Sequence, residues 1–105
     1  MTSGTDNTYI GFRAGKSATG TDNTFVGTEA GIGVTSGFDN TLIGEEAGEF
    51  MTTGSDNTCV GEDSCRYVTT GEENVALGAN ALLSSSQSPL TMYIIQYRHR
   101  SWSIV

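Results

Sequence analysis

Twelve acidic residues are the most numerous ionisable side chains in this 105-residue chain, and none lies beyond Glu73. Five recur at one place, Asp6, Asp22, Asp39, Asp56 and Glu73, each directly before an asparagine. Carboxylate and carbonyl oxygens suit calcium, so the column could form a cation ladder. The plainer reading is that each Asp caps its own turn and faces solvent, and no metal site is assigned. The two cysteines, Cys59 and Cys65, are too few for a disulfide scaffold. His99 is the only histidine, so no Cys/His set for zinc exists. The cysteines read as two free thiols, with a local disulfide as the alternative. Gly31-Ile32-Gly33 lacks the dinucleotide pattern and a following helix. The acidic columns are regular, whereas an active site usually breaks a pattern. These residues point to a non-enzymatic protein with no catalytic residues and no cofactor.

The charges are unevenly placed. Residues 1–83 hold all twelve acids against Arg13, Lys16 and Arg66, while Arg98 and Arg100 lie in the tail. So acidic a body argues against a nucleic-acid partner, whose phosphates attract clustered Lys and Arg. No apolar run approaches the roughly 18 to 20 residues that span a bilayer. The first fifteen residues are polar and glycine-rich, without the apolar stretch of a signal peptide. A cytoplasmic chain is expected as written, or a cell-surface one if it is a piece of a larger protein.

The elements that position these residues come from an internal repeat. Stretches beginning at Gly4, Gly20, Gly37, Gly54 and Gly71 align at spacings of 16, 17, 17 and 17, and close on Gly11, Gly27, Gly44, Gly61 and Gly78. Five copies fill residues 3–83 and account for the excess of glycine. A period near 17 is too short for a helical hairpin, which needs about 33 residues. It fits one coil of an all-β parallel solenoid. Residues 1–83 are expected to form the five-coil solenoid domain, and 84–105 a degenerate sixth strand with a capping or assembly tail.

Each copy carries one β-rich stretch, Asn-Thr-x-(Ile/Val)-Gly in most copies, in which alternate side chains share a face. Ile10, Val26, Ile43, Val60 and Leu77 form an aliphatic column expected to line the interior, with the Thr8, Thr24, Thr41, Thr58 and Val75 column beside it. Small residues, Ala14, Ala30, Ala47, Ser64 and Ala81, would let two walls of a thin coil approach. The intervening column, Tyr9, Phe25, Leu42, Cys59, Ala76 and, in the tail, Tyr93, is expected to point outward. A continuous apolar stripe is rare on a soluble monomer, so this column is the expected subunit interface. The alternative is that the coil is wide enough to hold it as core.

Gly-x-Asp-Asn is a turn signature, because Asx side chains bond neighbouring backbone amides. Asn7, Asn23, Asn40, Asn57 and Asn74 should stack as a turn ladder, their amides bonding from rung to rung. In the tail, residues 91–98 read as the degenerate last strand. Arg98-His99-Arg100 reads as a solvated or interface-pairing charge run.

Glu73-Asn74-Val75-Ala76-Leu77-Gly78-Ala79-Asn80-Ala81 resembles the head-domain repeats of trimeric autotransporter adhesins, the YadA-like head. The resemblance spans residues 3–83 and implies a left-handed parallel β-roll. It also implies a homotrimer with the Asn-Thr-x-Ile-Gly strands near its axis. This chain departs from the family in its longer repeat and in aromatics where the family favours alanine. The function so implied is a structural or binding module, meeting a protein or glycan at the cell surface through its outer loops. Those loops vary most between copies: Lys16-Ser17-Ala18, Ile32-Gly33-Val34, Glu49-Phe50-Met51 and Arg66-Tyr67-Val68. The alternative is a small soluble trimer binding a small ligand or cation between subunits or on the acidic turns. Ice binding by a regular threonine column requires that column to face outward; the interior assignment above sets it aside.

Overall fold

The computed structural model describes residues 4–83 and the strands 94–96 and 102–104. Five three-residue strands, β1 (Thr8–Ile10), β2 (Thr24–Val26), β3 (Thr41–Ile43), β4 (Thr58–Val60) and β5 (Val75–Leu77), form one parallel sheet in sequence order. Their register matches each residue to its equivalent one repeat later: Tyr9 with Phe25, Phe25 with Leu42, Leu42 with Cys59, Cys59 with Ala76. The chain is therefore an all-β solenoid with one strand per coil.

The coil closes because its corners fall on residues that accept left-handed backbone. Asp6, Asp22, Asp39, Asp56 and Glu73 all have φ between 57° and 61°. Asp and Asn are enriched in this region among non-glycine residues, which gives the acidic column a conformational role. A second corner repeats it at Arg13, Glu29, Glu46, Asp63 and Asn80 (φ 58–63°). Between corners the rungs stay hydrogen-bonded away from the sheet. Gly15 N–H donates to the Ala30 carbonyl, Gly31 to Ala47, Gly48 to Ser64 and Cys65 to Ala81. On a third side Thr19, Thr35 and Thr52 each donate to the threonine carbonyl of the next coil, at 2.7–2.9 Å.

The interior is built from the column expected outside. Phe25, Leu42, Cys59 and Ala76 are fully buried and Tyr9 packs against them. Ile10, Ile43 and Leu77 are instead 59%, 36% and 52% exposed, with Val26 and Val60 half-buried. The interior and outward assignments of the sequence are thus exchanged. The tail member Tyr93 lies outside the described residues.

The reason lies six residues after each strand centre. Tyr9, Phe25 and Leu42 face Gly15, Gly31 and Gly48 across the coil. A Cβ at Gly31 would sit 2.6 Å from the Phe25 ring, and φ there is +61°. In the fourth coil Cys59 faces Cys65, and in the fifth Ala76 faces Leu82, which has φ 49°. A large residue over glycine gives way to a matched pair and then to a small residue under leucine, so each slice stays filled to the density cores require. Cys59 and Cys65 form a disulfide with Cα atoms 6.0 Å apart, in place of the two free thiols expected.

Asn23, Asn40, Asn57 and Asn74 are fully buried at the corner beside the strand. The Oδ1 atoms of Asn7, Asn23, Asn40 and Asn57 accept the backbone N–H of the following asparagine at 2.9–3.1 Å. Nδ2 of Asn7, Asn23, Asn40 and Asn57 donates to the carbonyl of Gly20, Gly37, Gly54 and Gly71 at 2.9–3.0 Å. Asn40, Asn57 and Asn74 also donate Nδ2 to the Oδ1 of the preceding asparagine. One side chain thus supplies partners for backbone groups that a turn would otherwise bury unpaired.

Among the described residues the parallel sheet has five rungs, and the tail strands do not join it. Strand β6 (Ile94–Gln96) pairs antiparallel with β7 (Trp102–Ile104) in a separate two-stranded sheet, with β6 lying against β5. A strand inside the 91–98 segment is present, but its partner is β7. Arg98-His99-Arg100 lies outside the described residues.

The ladder predicts a graded response. Asn40→Ala orphans the Asn57 amide and the Gly54 carbonyl, and two buried unpaired backbone groups cost about 2–6 kcal/mol together. Asp39→Asn, at the exposed neighbouring corner, should change stability by about 0.5 kcal/mol or less. Chemical denaturation of the two variants checks the contrast.

Candidate functional site

Two surfaces follow from this geometry. The first is the outer face of the sheet. Strand alternation that puts Phe25 inside puts Thr24 and Val26 outside together. The face therefore carries two parallel columns, Thr8, Thr24, Thr41, Thr58 and Val75 beside Ile10, Val26, Ile43, Val60 and Leu77. Neighbouring rungs of a sheet lie about 4.8 Å apart. Ile10, Ile43 and Leu77 are the exposed members of the aliphatic column, with half-buried Val26 and Val60 between them.

The second surface is an outer edge where variable loops of consecutive coils stack. Phe50 and Tyr67 are one repeat apart, and their rings stack with centroids 5.1 Å apart and planes 12° from parallel. The Arg66 guanidinium lies over both, at 5.7 Å and 5.3 Å. It also binds acids from its own and the preceding coil: Nε reaches Glu49 at 2.6 Å, and the terminal nitrogens reach Glu46 at 3.5 Å and Asp63 at 3.6 Å. The Glu49 hydrogen bond raises the Arg66 pKa further above its ordinary value. Burial, and then the Glu49 charge, pushes the Glu46 carboxyl up. Between the first and second coils, Arg13 pairs with Glu29 at 3.1 Å and lies 5.1 Å from the centre of the Phe12 ring.

Glu29, Glu46 and Glu49 bring carboxylate oxygens within 4.8 Å of one another, the one such acidic group among the described residues. The acids of the Asp6-to-Glu73 column do not converge: they are exposed and follow one another up the stack. Arg13 pairs with Glu29 and Arg66 with Glu46 and Glu49, so the chain itself offsets part of the charge of this group.

The residues singled out in the sequence therefore separate. Asn7, Asn23, Asn40, Asn57 and Asn74 lie together in the ladder. Tyr9, Phe25, Leu42, Cys59 and Ala76 lie in the core, where the Tyr9 ring stacks on Phe25 at 4.9 Å. Burial raises the Tyr9 phenol pKa. Ile10, Val26, Ile43, Val60 and Leu77 lie on the outer face. The sequence placed Glu49, Phe50, Arg66 and Tyr67 in variable outer loops; the contacts that join them into a hub were not read there, although Glu49 and Arg66 stand one repeat apart.

The fold and these surfaces define a parallel β-solenoid repeat protein. No helix among the described residues is long and apolar enough to cross a membrane. No protein-family model, curated protein or solved structure matches the chain.

Arg66→Ala leaves Glu46, Glu49 and Asp63 facing one another without their cation. The variant should be modestly less stable, because the groups are partly exposed, and the loss should shrink with added salt as screening weakens the repulsion. Melting curves of parent and variant at low and high ionic strength check this.

Proposed function

We propose that this protein is a non-enzymatic structural and binding module. It assembles as a homotrimer through the outer face of its five-stranded sheet and offers the exposed residues of its variable loops, such as Lys16, Phe50 and Tyr67, to a protein or glycan partner, while Ala18, Val34, Met51 and Val68 of the same loops are buried in the core. The observation that carries the reading is the aliphatic column on the outer face of a parallel sheet, with Ile10, Ile43 and Leu77 exposed and Val26 and Val60 half-buried between them. Contiguous exposed apolar surface is a common mark of association sites. The resemblance to YadA-like head repeats supports the same arrangement, with these strands toward the shared axis. The outer loops, with the Phe50–Tyr67 stack and Arg66, then face away from that axis.

The interface and the core respond differently to a charge. Ile43→Asp puts a carboxylate on the outer face, and should leave a folded coil that no longer assembles. Phe25→Asp buries one in the coil, and should abolish folding. Light scattering should give three times the 11.1 kDa chain mass for the parent and one chain mass for I43D, with circular dichroism confirming that I43D keeps its β signal. A parent of one chain mass at micromolar concentration would overturn the trimer.

A second reading rests on the outward threonines. Thr8, Thr24, Thr41 and Thr58 form a hydroxyl column at regular rung spacing, and a monomer could present it to ordered water at an ice surface. Thermal hysteresis in a monomeric sample would select this reading; its absence, with a trimer in solution, selects the first.

A further inference from the structure

We propose that the Cys59–Cys65 bond is a redox-dependent staple, replacing in the fourth coil the side-chain-over-glycine packing that closes the first three. Both cysteines are fully buried, and they occupy the two positions that face each other across every coil. In coils one to three these positions hold Tyr9 over Gly15, Phe25 over Gly31 and Leu42 over Gly48; in coil five they hold Ala76 and Leu82. Each of those pairs fills its slice by shape alone. The cysteine pair fills its slice as a bonded unit, because two unbonded thiols need more room than one disulfide and lack the covalent tie across the coil.

The staple sits between two neighbours that rely on it. Cys65 N–H donates to Ala81 and Gly48 N–H to Ser64, so a loosened fourth coil withdraws partners from the third and the fifth. Cys65 also holds left-handed backbone, φ 54°, where its counterparts in the first three coils are glycine. A non-glycine residue is disfavoured there, as it is at the equivalent Leu82 (φ 49°), so the fourth slice carries a backbone cost that the glycine coils avoid.

Formation of the staple is a two-electron step. Both thiols lose their protons, the S–S bond forms, and a small-molecule disulfide acceptor is cleaved to two thiols. Such bonds form and persist in oxidising compartments. The folded chain is accordingly matched to an oxidising environment, and a reducing one opens the solenoid at its fourth coil.

The test uses the full chain, air-oxidised and purified without reductant. Thiol titration in denaturant should find no free thiol. Complete reduction with dithiothreitol should then lower the melting temperature by about 10 °C, as expected for a short disulfide-closed loop in a domain of this size. C59S/C65S should melt with the reduced parent. C59L/C65G, which copies the Leu42–Gly48 pair, should melt within a few degrees of the oxidised parent and ignore reductant. Two free thiols in the oxidised sample, a melting temperature unmoved by complete reduction, or C59L/C65G melting no higher than C59S/C65S would each overturn the proposal.

Discussion

A 17-residue coil encloses so little space that its corners cannot be left to water or to a deep core. The interaction that resolves this is the hydrogen bonding of one asparagine per rung to the backbone of the next. Asn40 accepts the Asn57 amide at 3.1 Å and donates to the Gly54 carbonyl at 2.9 Å. Those two bonds set the height and rotation of the following coil together. Strand register, the facing pairs and the exposed columns all inherit that alignment. At the last rung the Asn74 Oδ1 is buried and has no hydrogen-bond partner among the described residues, which marks the end of the ladder.

With the corners so held, the slices can vary. Tyr9, Phe25, Leu42, Cys59 and Ala76 decrease in size along the stack, while Gly15, Gly31, Gly48, Cys65 and Leu82 change from glycine to cysteine to leucine. A smaller strand residue is met by a larger facing one, so each slice stays occupied although neither column is constant. A solenoid gains stability by adding each coil to its neighbour, so one slice can change its chemistry, even to a disulfide, without changing the backbone path.

Much of this was legible in the residues. The Gly-x-Asp-Asn repeat gave the period, the parallel sheet and the place of the asparagines. Alternation also established that Thr24 and Val26 share a face opposite Phe25. It could not say which face is inside, because an aliphatic column and an aromatic column both prefer burial. The deciding signal was the residue six positions later: glycine opposite each large centre, cysteine opposite cysteine, leucine opposite alanine. Read as a pair of columns, it places Phe25 inside. Read one column at a time, it is invisible, which also left Cys59 and Cys65 as free thiols. The Arg66 hub was obscure for a different reason. Its partners Glu46, Glu49 and Asp63 come from two coils, and only the stacking brings them together.

The ladder is tested most directly by native-state amide hydrogen exchange. If the asparagines align the coils, the backbone amides of Asn40 and Asn57 exchange as slowly as those of the strand residues Leu42 and Cys59. They should open only with global unfolding, although they lie at corners rather than in strands. Exchange of the Asn40 and Asn57 amides at the rate of exposed turn amides, with the strand amides still protected, would contradict the account.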